Sequence, residues 1–70
     1  MLIAKVERGT APVDVSTAAQ LRDWIELEGE AIVLAQLGTS RLSLARLVGR
    51  LPVHATTRAA AFAALSRRQG

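Results

Sequence analysis

The chain has seventy residues, half of them apolar and about a fifth charged, with no cysteine. Such a composition is too hydrophobic for a disordered tail, and the missing cysteine excludes both a disulfide framework and thiolate chemistry. Charge is unevenly spread: all six acids (Glu7, Asp14, Asp23, Glu26, Glu28, Glu30) fall in the first thirty residues beside Lys5, Arg8 and Arg22, for a net of −3, while the last forty carry six arginines and no acid. A split of this size inside one small domain creates two electrostatic faces, and the positive one suits a polyanion. The longest purely apolar run, Ala59 to Leu65, is too short to cross a bilayer, and Met1 to Ala4 lacks the basic lead and long core of a signal peptide. A soluble, cytoplasmic protein without a membrane partner is expected.

Residues Leu2 to Arg8 alternate, with Leu2, Ala4 and Val6 on one face and Ile3, Lys5 and Glu7 on the other, the period of a half-buried strand. Gly9 to Pro12 end it. A lone strand leaves both edges unpaired, so it must meet Val13 to Val15 folding back or the same strand of a second chain; the other reading is a floppy amino terminus that only happens to alternate. Ser16 and Thr17 then open a first helix, because Thr17 and Gln20 have capping-box spacing and Leu21, Trp24, Ile25 and Glu28 recur at helical intervals. Trp24 is expected in the core. Asp23, Glu26 and Glu28 give this helix an acidic outer face, and Gly29 stops it.

Glu30 to Leu37 follow as a two-turn helix with Val33, Leu34 and Leu37 on one side and Glu30 complementing the dipole at its start. Gly38 closes it, since glycine accepts the left-handed conformation of a tight reversal without steric cost. Thr39 or Ser40 caps the next helix, whose Leu44, Leu47 and Val48 face inward while Arg41, Ser43, Arg46 and Arg50 project outward. Gly49 ends that helix and Pro52 prevents its continuation. Thr56 or Thr57 starts a last helix, with Phe62 and Leu65 as its anchors.

Two helices joined by a three-to-four-residue turn containing glycine form the helix-turn-helix arrangement, in which the second helix enters the major groove. The run Leu37-Gly38-Thr39-Ser40, then Leu44 and Leu47 three residues apart, then Leu51-Pro52-Val53 before a threonine-capped helix, resembles DNA-binding regulators of the lambda-repressor-like class over residues 30–58. Two positions depart from that pattern, Leu34 where the family prefers a small residue and Thr39 where it prefers an aliphatic one. Leu34 is expected to widen the helix pair or change its crossing angle.

The resemblance implies base contacts from Ser40, Arg41, Leu42, Ala45 and Arg46, on a recognition helix over 40–49. An arginine fork can bond both acceptors on a guanine edge, and Leu42 and Ala45 could touch thymine methyls; burial in a slightly rotated core is the other expectation for Leu42. Phosphate contacts are expected from Thr39, Ser43, Arg50, His54, Thr56, Thr57 and Arg58. Arg58 stands in the first turn of a helix, where a cation opposes the dipole, and a phosphate bound there would offset it. Arg67 and Arg68 suit a helix end on dipole grounds alone.

His54 is the only histidine, with no carboxylate within twenty residues of it, and no triad or dyad pattern is visible. No enzyme activity, cofactor or metal is therefore expected. The fold expected is mainly α, with four short helices, a central helix-turn-helix and a short N-terminal β-strand. Residues 1–15 form a strand or arm that is a candidate dimerisation element, and residues 16–70 form the helical DNA-binding domain. The function expected is a transcriptional regulator, a repressor binding double-stranded DNA at an inverted repeat as a homodimer, joined through the strand or the alanine-rich last helix. Alternatives are a protein-interaction module such as an antitoxin, whose acidic N-terminal half binds a protein partner, and a plasmid or phage DNA segregation factor.

Overall fold

The computed structural model describes residues 10–69, and the expected strand over Leu2 to Arg8 lies outside them. The described chain is mainly α, with four helices: α1 (Val15–Glu28), α2 (Glu30–Leu37), α3 (Arg41–Val48) and α4 (Ala55–Gln69). No single helix among the described residues is long and apolar enough to cross a membrane.

Helix α1 is the hub and packs on the other three, while α2 also packs on α4. Its inward positions Ala18, Leu21 and Trp24 recur at helical spacing and are buried, with Ile25 partly covered beside them. Leu21, Val33, Leu44 and Leu47 are the largest fully enclosed side chains, so three helices meet on them. Trp24 is in the core as expected, 3% exposed, although its indole N–H is buried with no acceptor among the described residues. The Arg68 guanidinium lies 5.2 Å over its ring and pairs with Glu28 at 3.9 Å, tying the ends of α1 and α4 together.

The start of α1 differs from the expected capping box. Asp14, not Thr17, precedes the helix: its carbonyl accepts from the Ala18 N–H, and its carboxylate accepts from the Thr17 hydroxyl. Thr17 is thereby drawn inside the helix and buried, while Gln20 donates to the Ser16 hydroxyl at 3.1 Å. That hydrogen bond from Thr17 is the main reason the Asp14 carboxyl titrates below its ordinary range.

Val13 to Val15 make no returning strand. Val13 is buried in the core and Val15 already belongs to α1. Ala11 instead forms an isolated antiparallel bridge with Val53, through two backbone hydrogen bonds of 3.0 Å. Residues 11–13 therefore belong to the packed body, because burying Val13 and Val53 together closes the core beside α4.

In α4 the expected Phe62 anchor is overturned. The buried face is Ala61, Ala64 and Leu65, at helical spacings of three and four, and Phe62 stands out at 67% exposure. Alanines bring α4 close to α1 and α2, leaving no room for a phenyl ring on that side. The helix also begins earlier than expected: Ala55 is its first residue, His54 accepts the Arg58 N–H through its carbonyl, and Thr56 and Thr57 lie within the first turn.

Candidate nucleic-acid interface

Helices α2 and α3 turn through 101° across Gly38, Thr39 and Ser40. This lies inside the roughly 90–120° range of helix-turn-helix pairs, so Leu34, half-buried against the core, does not force the pair out of it. Gly38 is left-handed, with φ 67° and ψ 36°, and its N–H donates to the Leu34 carbonyl at 2.8 Å, satisfying a carbonyl that the end of α2 would otherwise expose. A Cβ at Gly38 would meet nothing within 4 Å, so the reason for glycine here is conformational and not spatial.

Ser40 is the cap of α3. Its Oγ accepts the Ser43 N–H at 3.1 Å, and its hydroxyl donates to the Ser43 Oγ at 3.2 Å. Leu44 and Leu47 fasten α3 to the core, with Val48 partly covered. The same periodicity leaves Arg41, Leu42, Ala45 and Arg46 exposed on one strip. Leu42 is 62% exposed, which resolves the two expectations for it in favour of the surface.

The two arginines on that strip differ. Arg41 is 3.5 Å from Glu30, an ion pair exposed on both sides and open to exchange. Arg46 has no ion-pair partner among the described residues. Thr39 and Ser43 are half-buried in the turn and cap, and Ser43 already spends its N–H and hydroxyl oxygen on Ser40.

The exit from α3 is built by residues far apart in sequence. Arg50 takes φ 55°, a left-handed value at a non-glycine residue. Around it the Leu51 N–H donates to the Arg46 carbonyl at 2.8 Å and the Arg50 N–H to the Leu47 carbonyl at 3.2 Å, a Schellman closure with arginine where glycine usually stands. Gly49, expected to end the helix, does follow its last residue, but with φ −87°; a Cβ there would lie 3.2 Å from the Ala45 carbonyl oxygen. Arg50 Nε donates to the Val13 carbonyl at 2.9 Å, and Arg22 of α1 donates to the Val48 carbonyl at 3.0 Å.

Arg58 is half-buried, and one guanidinium nitrogen donates to the carbonyls of Val53 at 2.7 Å and Ala11 at 3.2 Å. The cation at the start of α4 is thus offset by two carbonyls that the sequence does not advertise. Arg58 braces the Ala11–Val53 bridge, and a phosphate is not needed to explain its place. His54 and Thr56 are exposed at the start of α4, with Thr57 half-buried beside them.

Sequence reasoning thus located the α3 strip but missed three supporting residues. Arg22 and Val13 act on α3 and its exit from 26 and 37 residues away, and Glu30 meets Arg41 only because of the corner. The capacity of the strip is hydrogen-bond donation from two guanidiniums flanking two apolar side chains, on an exposed helix face capped by Ser40 at its start and closed by Arg50 and Leu51 at its end. Comparison with known proteins brings no relative to bear: no family model, curated protein or solved structure matches the chain.

Proposed function

We propose that the chain is a sequence-specific double-stranded DNA-binding transcriptional regulator, a cytoplasmic repressor that occupies an inverted repeat as a homodimer. The observation that carries this reading is the 101° corner at left-handed Gly38, which holds a short helix with Arg41, Leu42, Ala45 and Arg46 outermost. An α-helix fits the major groove, and its outward arginines match the paired acceptors of guanine while Leu42 and Ala45 suit thymine methyls. Arg46, free of an ion pair among the described residues, is the first choice for base reading; Arg41 must first leave Glu30. Arg50 offers the guanidinium nitrogens that its bond to Val13 leaves over, and His54, Thr56 and Thr57 offer polar groups to the sugar-phosphate backbone. Asp23, Glu26 and Glu28 on α1 are exposed and would repel a polyanion that approached that face.

Selection of bound duplexes from a random pool tests this directly. A palindromic enriched site is expected, with half-sites about 34–36 Å apart, and a log–log salt slope of roughly −0.9 per phosphate neutralised. No binding at low salt, or binding with no enriched sequence, would overturn it.

A further inference from the structure

We propose that Arg22 of α1 contacts the DNA backbone, joining Arg50 in holding phosphate at the exit of α3. The inference rests on the proposed DNA binding, of which it needs the affinity for duplex but not the sequence preference. In the sequence Arg22 belongs to the acidic half, beside Asp23 and one helical turn before Glu26. The fold changes its company. Packing of α1 on α3 brings Arg22 Nη1 within 3.0 Å of the Val48 carbonyl, 26 residues along the chain. Val48 is the last residue of α3, so an arginine of the acidic half stands at the end of the helix that carries Arg41 and Arg46.

The bond to Val48 does not exhaust this side chain. Backbone N–H groups of Gly49, Arg50 and Leu51 close the carbonyls of Ala45, Leu47 and Arg46, and the Val48 carbonyl falls to Arg22. A guanidinium has more donors than one carbonyl can accept. Among the described residues Arg22 makes that single hydrogen bond and no ion pair, since the pairs there are Arg41 with Glu30 and Arg68 with Glu28. Its charge is therefore not neutralised by Glu26, and the residue is exposed. Arg50 is built alike: it is exposed, its Nε is held by the Val13 carbonyl at 2.9 Å, and its Nη groups remain open. Two guanidiniums, each anchored by one carbonyl, are thus tied to the stretch Val48 to Arg50. Anchoring lowers the entropy lost when a long side chain binds, and bonds from guanidinium to phosphate are the strong, charge-assisted kind. The dipole of α3 alone also favours a cation at this end, so the test must separate a helix cap from a phosphate contact.

Anisotropy titrations of a labelled duplex of scrambled sequence, at several salt concentrations, make that separation. Wild type and Arg22→Lys should share one log–log salt slope. Arg22→Gln, which can still donate to the Val48 carbonyl, should be shallower by roughly 0.9, one phosphate equivalent. Both variants should keep the helical circular dichroism of wild type, because the position is exposed. Should Arg22→Gln fail to fold, the wild type alone decides: its Arg22 Nε–H resonance should shift when the duplex is added and return at high salt. Equal slopes for all three chains, a slope for Arg22→Lys as shallow as that for Arg22→Gln, or an Arg22 resonance indifferent to the duplex would each overturn the contact and leave Arg22 a helix cap. Binding that prefers no sequence, with the slope difference intact, sinks the sequence-specific reading and leaves the contact standing. A selective wild type with equal slopes does the reverse, and no duplex binding at low salt overturns both.

Discussion

The two turns that bracket α3 solve the same problem with different residues. Before the helix, Gly38 adopts φ 67° and has free space around its Cα, so residue type alone removes the strain. After it, Arg50 adopts φ 55° although Gly49 is its immediate neighbour, and holds that conformation with two backbone bonds and a side-chain bond to the Val13 carbonyl. A left-handed residue with a Cβ costs about 1–2 kcal/mol, and a hydrogen bond from a charged donor returns roughly 1.5–3 kcal/mol. The first turn is therefore a local device, and the second depends on the chain folding back over residues 11–13. Together the two turns fix where α3 starts and where it stops.

The largest expected effect removes what the two turns share. Leu47→Ala takes away one of the two leucines that hold α3 to the core, and should cost about 2–5 kcal/mol in chemical unfolding. That is a large fraction of the stability of so small a domain, and a loss below 1 kcal/mol would mean that α3 is not held as described. Next, Gly38→Val should cost upwards of about 1–2 kcal/mol from the backbone alone, because no atom crowds the site. Gly38→Asn should cost less, asparagine tolerating this conformation. Equal melting of the two variants would remove the left-handed turn from the account.

The second turn is separated by a pair of variants. Arg50→Ala keeps the strained φ and loses the bond to Val13, so it should destabilise; Arg50→Gly loses the same bond but relieves the strain, and should fall close to wild type in thermal melting. If alanine and glycine behave alike, the side chain and not the backbone decides the site. The smallest effect concerns pH. The Asp14 carboxyl is held below its ordinary value of 3.8, chiefly by the Thr17 hydroxyl. Its stabilisation is then complete above that value and lost as pH falls through the lower, folded one. Melting temperatures of wild type and Thr17→Val should converge on the acid side, and a constant offset down to acid pH would show that Asp14 is not involved.

The contrast between the turns also explains what was legible in the sequence. Gly29 and Gly38 announce helix ends by residue type, and Leu21, Trp24, Leu44 and Leu47 repeat at helical spacing with large side chains, so α1 to α3 and the outward strip of α3 could be read. In α4 the buried positions are mostly alanine, on both faces alike, and the periodic signal fell on Phe62, the bulkiest residue, which lies outside. The roles of Arg50 and Arg58 depend on carbonyls of Val13, Ala11 and Val53. Backbone acceptors carry no sequence signature, and two of these three are 37 and 47 residues away. Arg58 was thus legible as an anomaly against the helix dipole, but not as the brace that resolves it.

The central claim is that α3 reads base edges through its outward arginines. It is tested most directly by comparing wild type and Arg46→Ala on the selected duplex and on a scrambled one, at several salt concentrations. The account predicts that Arg46→Ala loses about 1–3 kcal/mol of discrimination while binding to the scrambled duplex and its salt dependence change little. Equal losses on both duplexes, with a shallower salt slope, would contradict it and reduce Arg46 to a phosphate contact.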